Sequence, residues 1–413
     1  MNVHVVKTVP IEYRQVAEAY RKVRKGGDAV GIDKESWKDF DKNLGRNLYV
    51  IWNRLASGSY HPQPVKEAEI PKKDGKKRIL GIPTIRDRIA QQVLKDIMEK
   101  KIDTLFHEHS YGYRPLKNAH QAIEQVRQNC YKQDWVIDMD IKHFFDSVDH
   151  EVMLKAVGHV LAEPWIQMYV KRWLEMPVET KEGQIKPKVG KGTPQGGVLS
   201  PLLANLYLHF TLDKWLEKHF PRVSFVRYAD DMVLHCRSKA EAEAVLQAVR
   251  ERLSAVKLQI KEEKTRIAYC KDYRRKGTHP HVQFEFLGFS YQPRARKSKR
   301  DGKLYTAFAP EISQTNQKKV REMIKAVPVW RNPRVTRVED MAAILNPKLR
   351  GWITYYGKYS KRILRRVLLH LDYRLIQWIK RTYKLGTRKA QVKLNHLKQQ
   401  NPMLFYHWQM GIC

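Results

Sequence analysis

Phe225-Val226-Arg227-Tyr228-Ala229-Asp230-Asp231-Met232-Val233-Leu234-His235 sets two adjacent carboxylates between two apolar, β-favouring runs. Val223, Phe225 and Val226 predict one strand, and Met232, Val233 and Leu234 predict another. The Asp pair therefore falls at the tip of a hairpin. Unpaired charge in a buried hairpin is costly. A divalent cation removes that cost, and Mg²⁺ prefers a few carboxylates together with substrate phosphates. An isolated Asp-Asp is far more often a solvated turn. The flanking strands weaken that reading here, and the rest of the chain has to decide.

The chain has 413 residues, enough for two or three domains or one large multi-lobed unit, and its 42% hydrophobic content supplies a core. The charge is the outlier. Seventy-eight Lys and Arg face 43 Asp and Glu, a formal net charge of +35. Such an excess points to a polyanion, because phosphate neutralisation with counterion release dominates nucleic-acid affinity. No apolar run approaches the roughly 20 residues of a spanning helix, and no signal peptide is read at the start. Cys130, Cys236, Cys270 and Cys413 are far apart without Cys-x-x-Cys spacing, which argues against a zinc site and gives no disulfide framework. His279-Pro-His281 reads as a loop rather than a metal pair. A reducing, intracellular compartment is expected.

Residues 1 to about 60 read as helices, with Arg14 to Arg24 amphipathic and Gly26-Gly27-Asp28 ending it. Val65 to Ile70, the turn Lys73-Asp74-Gly75-Lys76 and Arg78-Ile79-Leu80 predict a hairpin. Thr84 is placed to cap a helix whose apolar stripe includes Ile89, Val93 and Ile97. Trp135 to Asp140 predicts a strand running into Phe144-Phe145-Asp146. Gly192-Thr-Pro-Gln-Gly-Gly197 is a tight turn leading to Ser200 as N-cap, Pro201 at the first helical position, and a helix from Leu202 to Leu216. A helix from about Ala240 to Leu253 and one β-type run, Phe284 to Phe289, follow the Asp-Asp hairpin. Composition then shifts: residues 291–400 hold 28 Lys and Arg against 6 Asp and Glu, interleaved with aromatics from Trp330 to Tyr383. Basic residues for phosphates plus aromatics for bases is a nucleic-acid composition. The stripe Leu364, Val367, Leu368, Leu371, Leu375 and Trp378 reads as core, and Arg294 to Arg300 as an exposed basic loop.

Nucleotidyl transfer assisted by two metals needs a few carboxylates from separate strands converging on one point. Asp140 ends one strand and Asp230-Asp231 lies between two more. Asp138, two residues from Asp140, faces the same side of a regular strand and competes with it by spacing. Asp146 and Asp149 read as cap or turn residues.

These segments together resemble the reverse transcriptases encoded by group II introns, the intron-encoded reverse transcriptase/maturases, from about residue 25 to the C-terminus. Tyr228-Ala229-Asp230-Asp231 is similar to the family's YxDD motif, and Asp138 to Asp146 to the motif carrying the first catalytic aspartate. Ile70-Pro71-Lys72 through Arg78 and Gly81-Ile82-Pro83 resemble the fingers hairpin, and Ser110 to Pro115 a further block. Gly192 to Gly197, with Leu199-Ser200-Pro201, resembles the template-side loop and helix, and Asn346 to Tyr356 the maturase-specific thumb. The resemblance implies an α+β right-hand polymerase: an N-terminal helical extension (1–60), fingers and a palm of antiparallel sheet and helices (61–290), and a basic α-helical thumb or X domain (291–413).

The resemblance also implies roles. Asp140, rather than Asp138, joins Asp230 and Asp231 as catalytic ligands of two Mg²⁺ ions, for which Mn²⁺ can substitute. Lys72 and Arg78 would grip the incoming triphosphate, Arg bidentately. Phe144 would lie under the deoxyribose and exclude a 2′-hydroxyl, with Phe145 the core member of the pair. Gln195 would rest near the nascent base pair, where glycines allow close backbone approach. Lys264 would protonate the leaving pyrophosphate, although Lys257 and Lys261 are near. Arg114, Gly196, Arg350, Trp352 and Lys358 would contact template, primer or RNA. The implied partners are intron RNA, an RNA template, a DNA primer or target and dNTPs, without a membrane. The implied place is the bacterial cytoplasm, in association with the nucleoid or a ribonucleoprotein. The chain ends without the Cys/His clusters of an endonuclease domain, like the endonuclease-lacking branch. The competing readings are a domesticated or defence-related reverse transcriptase and a splicing cofactor with an idle polymerase site.

Overall fold

The computed structural model describes residues 9–71, 77–298, 300–331 and 337–412, with backbone alone for residues 71, 77, 78 and 331. The chain divides into two units. One holds the chain up to Ala122 together with Met139–Thr265, and the other holds Ile123–Asp138 together with everything from Arg266.

The first unit begins with helices Tyr13–Val23, Trp37–Lys42 and Leu44–Ala56, which bury Val16, Ala19, Phe40, Leu48, Ile51 and Leu55. Ser36 caps the second by accepting the Asp39 amide. The strands of this unit are β1 (Val65–Pro71), β2 (Lys77–Ile82), the end of β3 (Trp135–Asp140), β4 (Val178–Glu179), β5 (Ile185–Lys186), β6 (Ser224–Tyr228) and β7 (Asp231–Cys236). Strands β1 and β2 form the expected antiparallel hairpin, whose turn lies outside the described residues. The sheet continues as β2-β1-β4-β5. Strands β6 and β7 form a second antiparallel hairpin, with Tyr228 opposite Asp231, and β7 lies beside the end of β3.

Thr84 caps helix Ile85–Ile102 as its position predicts, accepting the Asp87 amide. Asp87 on that helix is buried; it accepts from the hydroxyls of Tyr60 (2.8 Å) and Thr84 (2.8 Å) and from the Gln63 amide (3.2 Å). Two sequence expectations change downstream. Ser200 is the first helical residue and Leu199 precedes it as the cap, because the Ser200 hydroxyl is committed to the Pro194 carbonyl at 2.8 Å. The single helix expected to reach Leu216 is instead Ser200–Leu208, a π-helical turn His209–Asp213, and Lys214–His219. Wide turns of this kind shift side chains out of helical register, and here the shifted side chain is Asp213.

In the second unit, the first four residues of β3 pair antiparallel with β8 (Arg266–Tyr269), setting Asp138 opposite Arg266. The Phe284–Phe289 run is two strands, β9 (Phe284–Phe286) and β10 (Phe289–Lys297), because Leu287 and Gly288 both take positive φ (47° and 81°) and turn the chain. Strand β10 pairs with β11 (Leu304–Ile312) through Lys297. Arg294 to Lys297 is therefore strand rather than loop, and Arg294 is ion-paired with Glu311 across the hairpin.

Helix Val338–Tyr383 dominates this unit. Its stripe Leu364, Val367, Leu368, Leu371, Leu375 and Trp378 is buried as predicted, against Ile324, Leu394 and Phe405 among others. The helix kinks at Ser360 (φ −133°), whose buried hydroxyl accepts the Ile312 amide at 2.7 Å. The C-terminal elements are tied to it by one buried carboxylate. Asp372 accepts from Lys398 Nζ (2.6 Å), His407 Nε2 (3.1 Å) and Trp408 Nε1 (3.0 Å).

Candidate active site at the Asp-Asp hairpin

Register sets Ala229 and Asp230 at the tip of the β6–β7 hairpin, and Ala229 adopts the left-handed conformation (φ +59°). A non-glycine residue holds that conformation at a cost unless its surroundings determine it. They do. Arg227, fully buried, donates through Nε to Asp213 Oδ1 (2.8 Å) and through Nη1 to Asn205 Oδ1 (2.9 Å) and to the Ala229 carbonyl (3.2 Å). The main chain of Arg227 is bonded on its other edge: its amide reaches the His109 carbonyl at 2.9 Å, and its carbonyl accepts the Tyr111 amide at 2.8 Å. Gly112 follows, and a Cβ there would stand 2.4 Å from the Ala229 nitrogen. The Ser110 to Pro115 block is thus the backing of the turn, and its glycine is required by close approach.

On the open side, Asp140, Asp230 and Asp231 are all partly exposed. The chain after Leu258 runs back along the end of β3: Lys142 N donates to the Gln259 carbonyl (2.8 Å), Lys261 N donates to the Asp140 carbonyl (2.8 Å), and Ile141 bridges Ile260. This clasp delivers Lys264, whose Nζ lies 2.9 Å from Asp140 Oδ2. The hydrogen bond with Asp140 raises the Lys264 pKa. Partial burial opposes the shift, and the charges of Asp140, Asp231 and Asp230 add to it. One ammonium therefore feels three carboxylates from two strands. The other two lysines are elsewhere: Lys257 pairs with Asp149, which caps helix His150–Val160, and Lys261 lies 3.9 Å from Glu263.

The donor set suits a hard cation. It is all carboxylate oxygen and already attracts positive charge. Among the described residues no three His, Cys, Asp or Glu side chains lie close enough to form a metal cage.

The other predicted residues divide. Gln195 is half-buried and its carbonyl accepts the Gly81 amide at 2.8 Å, so the 192–199 loop packs on the end of β2. Gly196 takes φ +116°, and a Cβ there would meet the Gly81 oxygen at 2.6 Å. Phe144 is 2% exposed, in edge contact with Tyr207, whereas Phe145 is half-buried. This reverses the expected core member of the pair: the short helix Phe144–Ser147 turns its first ring inward. Lys72 lies outside the described residues, and Arg78 is placed by backbone only, opposite Ile70. Arg114 is corrected to a structural role. Its guanidinium donates to Asp103 (2.7 Å) and to the carbonyls of His107, Ser110 and Asp103, over the Phe106 ring. In the second unit, Arg350 and Lys358 are exposed, near the rings of Tyr406 and Tyr359, and Trp352 packs on the core. Sequence reasoning missed Asp213, Asn205 and the bracing role of Arg227; the available signal was an arginine inside an otherwise apolar strand. Cys130, Cys236 and Cys270 are buried free thiols, and Cys413 lies outside the described residues. No helix among the described residues is long and apolar enough to cross a membrane.

Residues 70–291 match the family described as reverse transcriptase (RNA-dependent DNA polymerase), and residues 316–395 match the group II intron, maturase-specific domain. Protein YkfC of Escherichia coli K12 is 31% identical over 286 residues, covering 60% of this chain and 74% of that one. The group II intron-encoded protein LtrA of Lactococcus lactis subsp. cremoris is 27% identical over 426 residues, covering 81% and 67%. A Candida albicans telomerase structure overlaps 91% of this chain and 67% of its own with 12% identity and a TM-score of 0.48, a level that adds nothing to the family match. The family uses divalent metal ions, and the maturase-specific domain makes RNA a partner. The chain belongs to the reverse transcriptase family, as an RNA-directed DNA polymerase of the group II intron reverse transcriptase/maturase kind, with that family's α+β right-hand fold.

Proposed function

We propose that Asp140, Asp230 and Asp231 hold two Mg²⁺ ions, with Mn²⁺ able to substitute, for addition of dNTPs to a primer 3′-hydroxyl on an RNA template. The observation that carries this reading is the Lys264 ammonium, bonded to Asp140 at 2.9 Å with the charges of Asp231 and Asp230 also acting on it. Bound divalent cations would supply activation of the 3′-hydroxyl and charge neutralisation at the leaving pyrophosphate. Lys264, held at Asp140, would serve as the proton donor to the leaving pyrophosphate. Lys72 and Arg78 on the fingers hairpin receive the triphosphate, Gln195 rests near the nascent base pair, and Gly196 contacts template or primer. Replacing Asp230 and Asp231 with Ala abolishes metal-dependent primer extension and leaves RNA binding in place. Extension at the wild-type rate would refute the site.

Sugar selection is assigned to Phe144. Its burial makes Phe145 the control. Phe144→Ala relaxes discrimination between dNTP and rNTP in single-nucleotide incorporation while Phe145→Ala does not; the reverse pattern moves the gate to Phe145.

Residues 61–290 act as fingers and palm, and the basic region 291–413 holds the A-form template–primer by backbone and 2′-hydroxyl contacts. With the 1–60 extension, that region binds the parent intron RNA and assists its splicing and retrohoming. The match of the maturase-specific domain to residues 316–395 supports this assignment.

A further inference from the structure

Three tyrosines of the second unit are exposed around one arginine. Tyr131 is 58% exposed, Tyr273 55% and Tyr305 40%. The Arg274 guanidinium carbon lies 3.9 Å from the Tyr131 ring centre and 5.8 Å from that of Tyr273. Tyr273 and Tyr305 meet edge to face at 5.8 Å. The cluster is held in place. Arg274 Nη2 donates to the Tyr131 carbonyl (2.7 Å) and to Asp272 Oδ2 (2.6 Å), and Nε donates to Asp272 at 3.1 Å. The Tyr273 amide donates to the Thr306 carbonyl at 2.9 Å, fixing the loop after β8 to β11. Lys132, Lys276 and Lys303, all exposed, neighbour these residues in sequence.

We propose that Tyr131, Arg274, Tyr273 and Tyr305 form a stacking platform for unpaired RNA nucleobases. The proposal rests on the reading of this chain as an RNA-handling polymerase. Exposed aromatic rings beside one fixed guanidinium plane suit bases, which stack on Tyr and Arg, with lysines for the phosphates. Pre-ordering lowers the entropy lost on binding. A duplex keeps its base faces inside its own stack and offers none to the rings. Protein interfaces are likewise rich in Tyr and Arg but depleted in Lys, and three exposed lysines neighbour this cluster.

The test uses the full chain saturated with template–primer, to which a labelled unstructured oligoadenylate of about ten nucleotides is added. The wild type binds it. The triple variant Tyr131→Ala, Tyr273→Ala, Tyr305→Ala binds roughly tenfold or more weakly, with the slope of log affinity against log salt unchanged. The corresponding triple Phe variant retains binding, because the ring faces remain. Both variants melt at the wild-type temperature, so that a loss of binding is not a loss of folding. Wild-type affinity in the Ala variant would overturn the platform. So would a loss accompanied by a shallower salt slope, or equal competition by duplex RNA. Absence of primer extension in the wild type would instead overturn the polymerase reading.

Discussion

Two carboxylate–cation pairs serve one hairpin, Asp213–Arg227 behind it and Asp140–Lys264 before it. The side chains of the first are 0% and 1% exposed; those of the second are 24% and 59% exposed. A buried pair with every hydrogen bond made is permanent, since removing either partner strands a charge in low dielectric. An exposed pair is weak and exchangeable. The left-handed turn needs the first kind of contact, and a site that must accept a new cation needs the second.

The largest effect on stability is expected from the pair at the back. Arg227→Ala or Asp213→Ala lowers stability by about 3–5 kcal/mol and lowers primer extension by releasing the Ala229 turn. Thermal melting and extension rates read both. A double replacement with Leu and Met recovers much of the stability but not the turn, so activity stays low. Full activity in the double variant would break the distinction.

Asp87 sharpens the comparison, being a buried carboxylate that accepts from two neutral hydroxyls and an amide. Burial pushes its pKa from 3.8 up to about 6, against the lowering effect of the bonds from Thr84, Tyr60 and Gln63. The folded pKa is above the unfolded one. Its contribution is therefore complete below about pH 4 and is lost as pH rises through about 6. A shift of this size is on the order of 3 kcal/mol. Denaturant titrations across that window show the loss, and Asp87→Asn flattens it; an unchanged slope in the variant would assign the effect elsewhere.

The smallest effect on stability belongs to the pair in front. Lys264→Ala leaves the melting temperature nearly unchanged, as expected for an exposed pair, while kcat for nucleotide addition falls by about a hundredfold or more. A large drop in melting temperature with normal kcat would make Lys264 a structural residue like Arg227.

Much of this was legible in the chain. Alternation marked β3, β6 and β7; Thr84 marked a helix start; the leucine stripe after Leu364 marked a core; and the family motifs marked Asp140, Asp230 and Asp231. The errors share a cause. Phe144 and Phe145 are chemically equal neighbours, and only the turn into their short helix decides which ring goes inward. Arg114 carries the same charge whether it faces a phosphate or, as here, Asp103 and three carbonyls. Ser200 has the residue type of a cap, but its hydroxyl was taken by a carbonyl six residues away.

Residue type and spacing were enough for the elements and the motif, because period, capping and turn preference are local properties of the chain. Partnership was a matter of three-dimensional packing. Asp213 reaches Arg227 through a π-helical turn, Gly112 abuts Ala229, and Lys264 rather than Lys257 or Lys261 reaches Asp140. Each depends on distances between segments far apart in the chain, where the same charges admit many pairings and packing permits one.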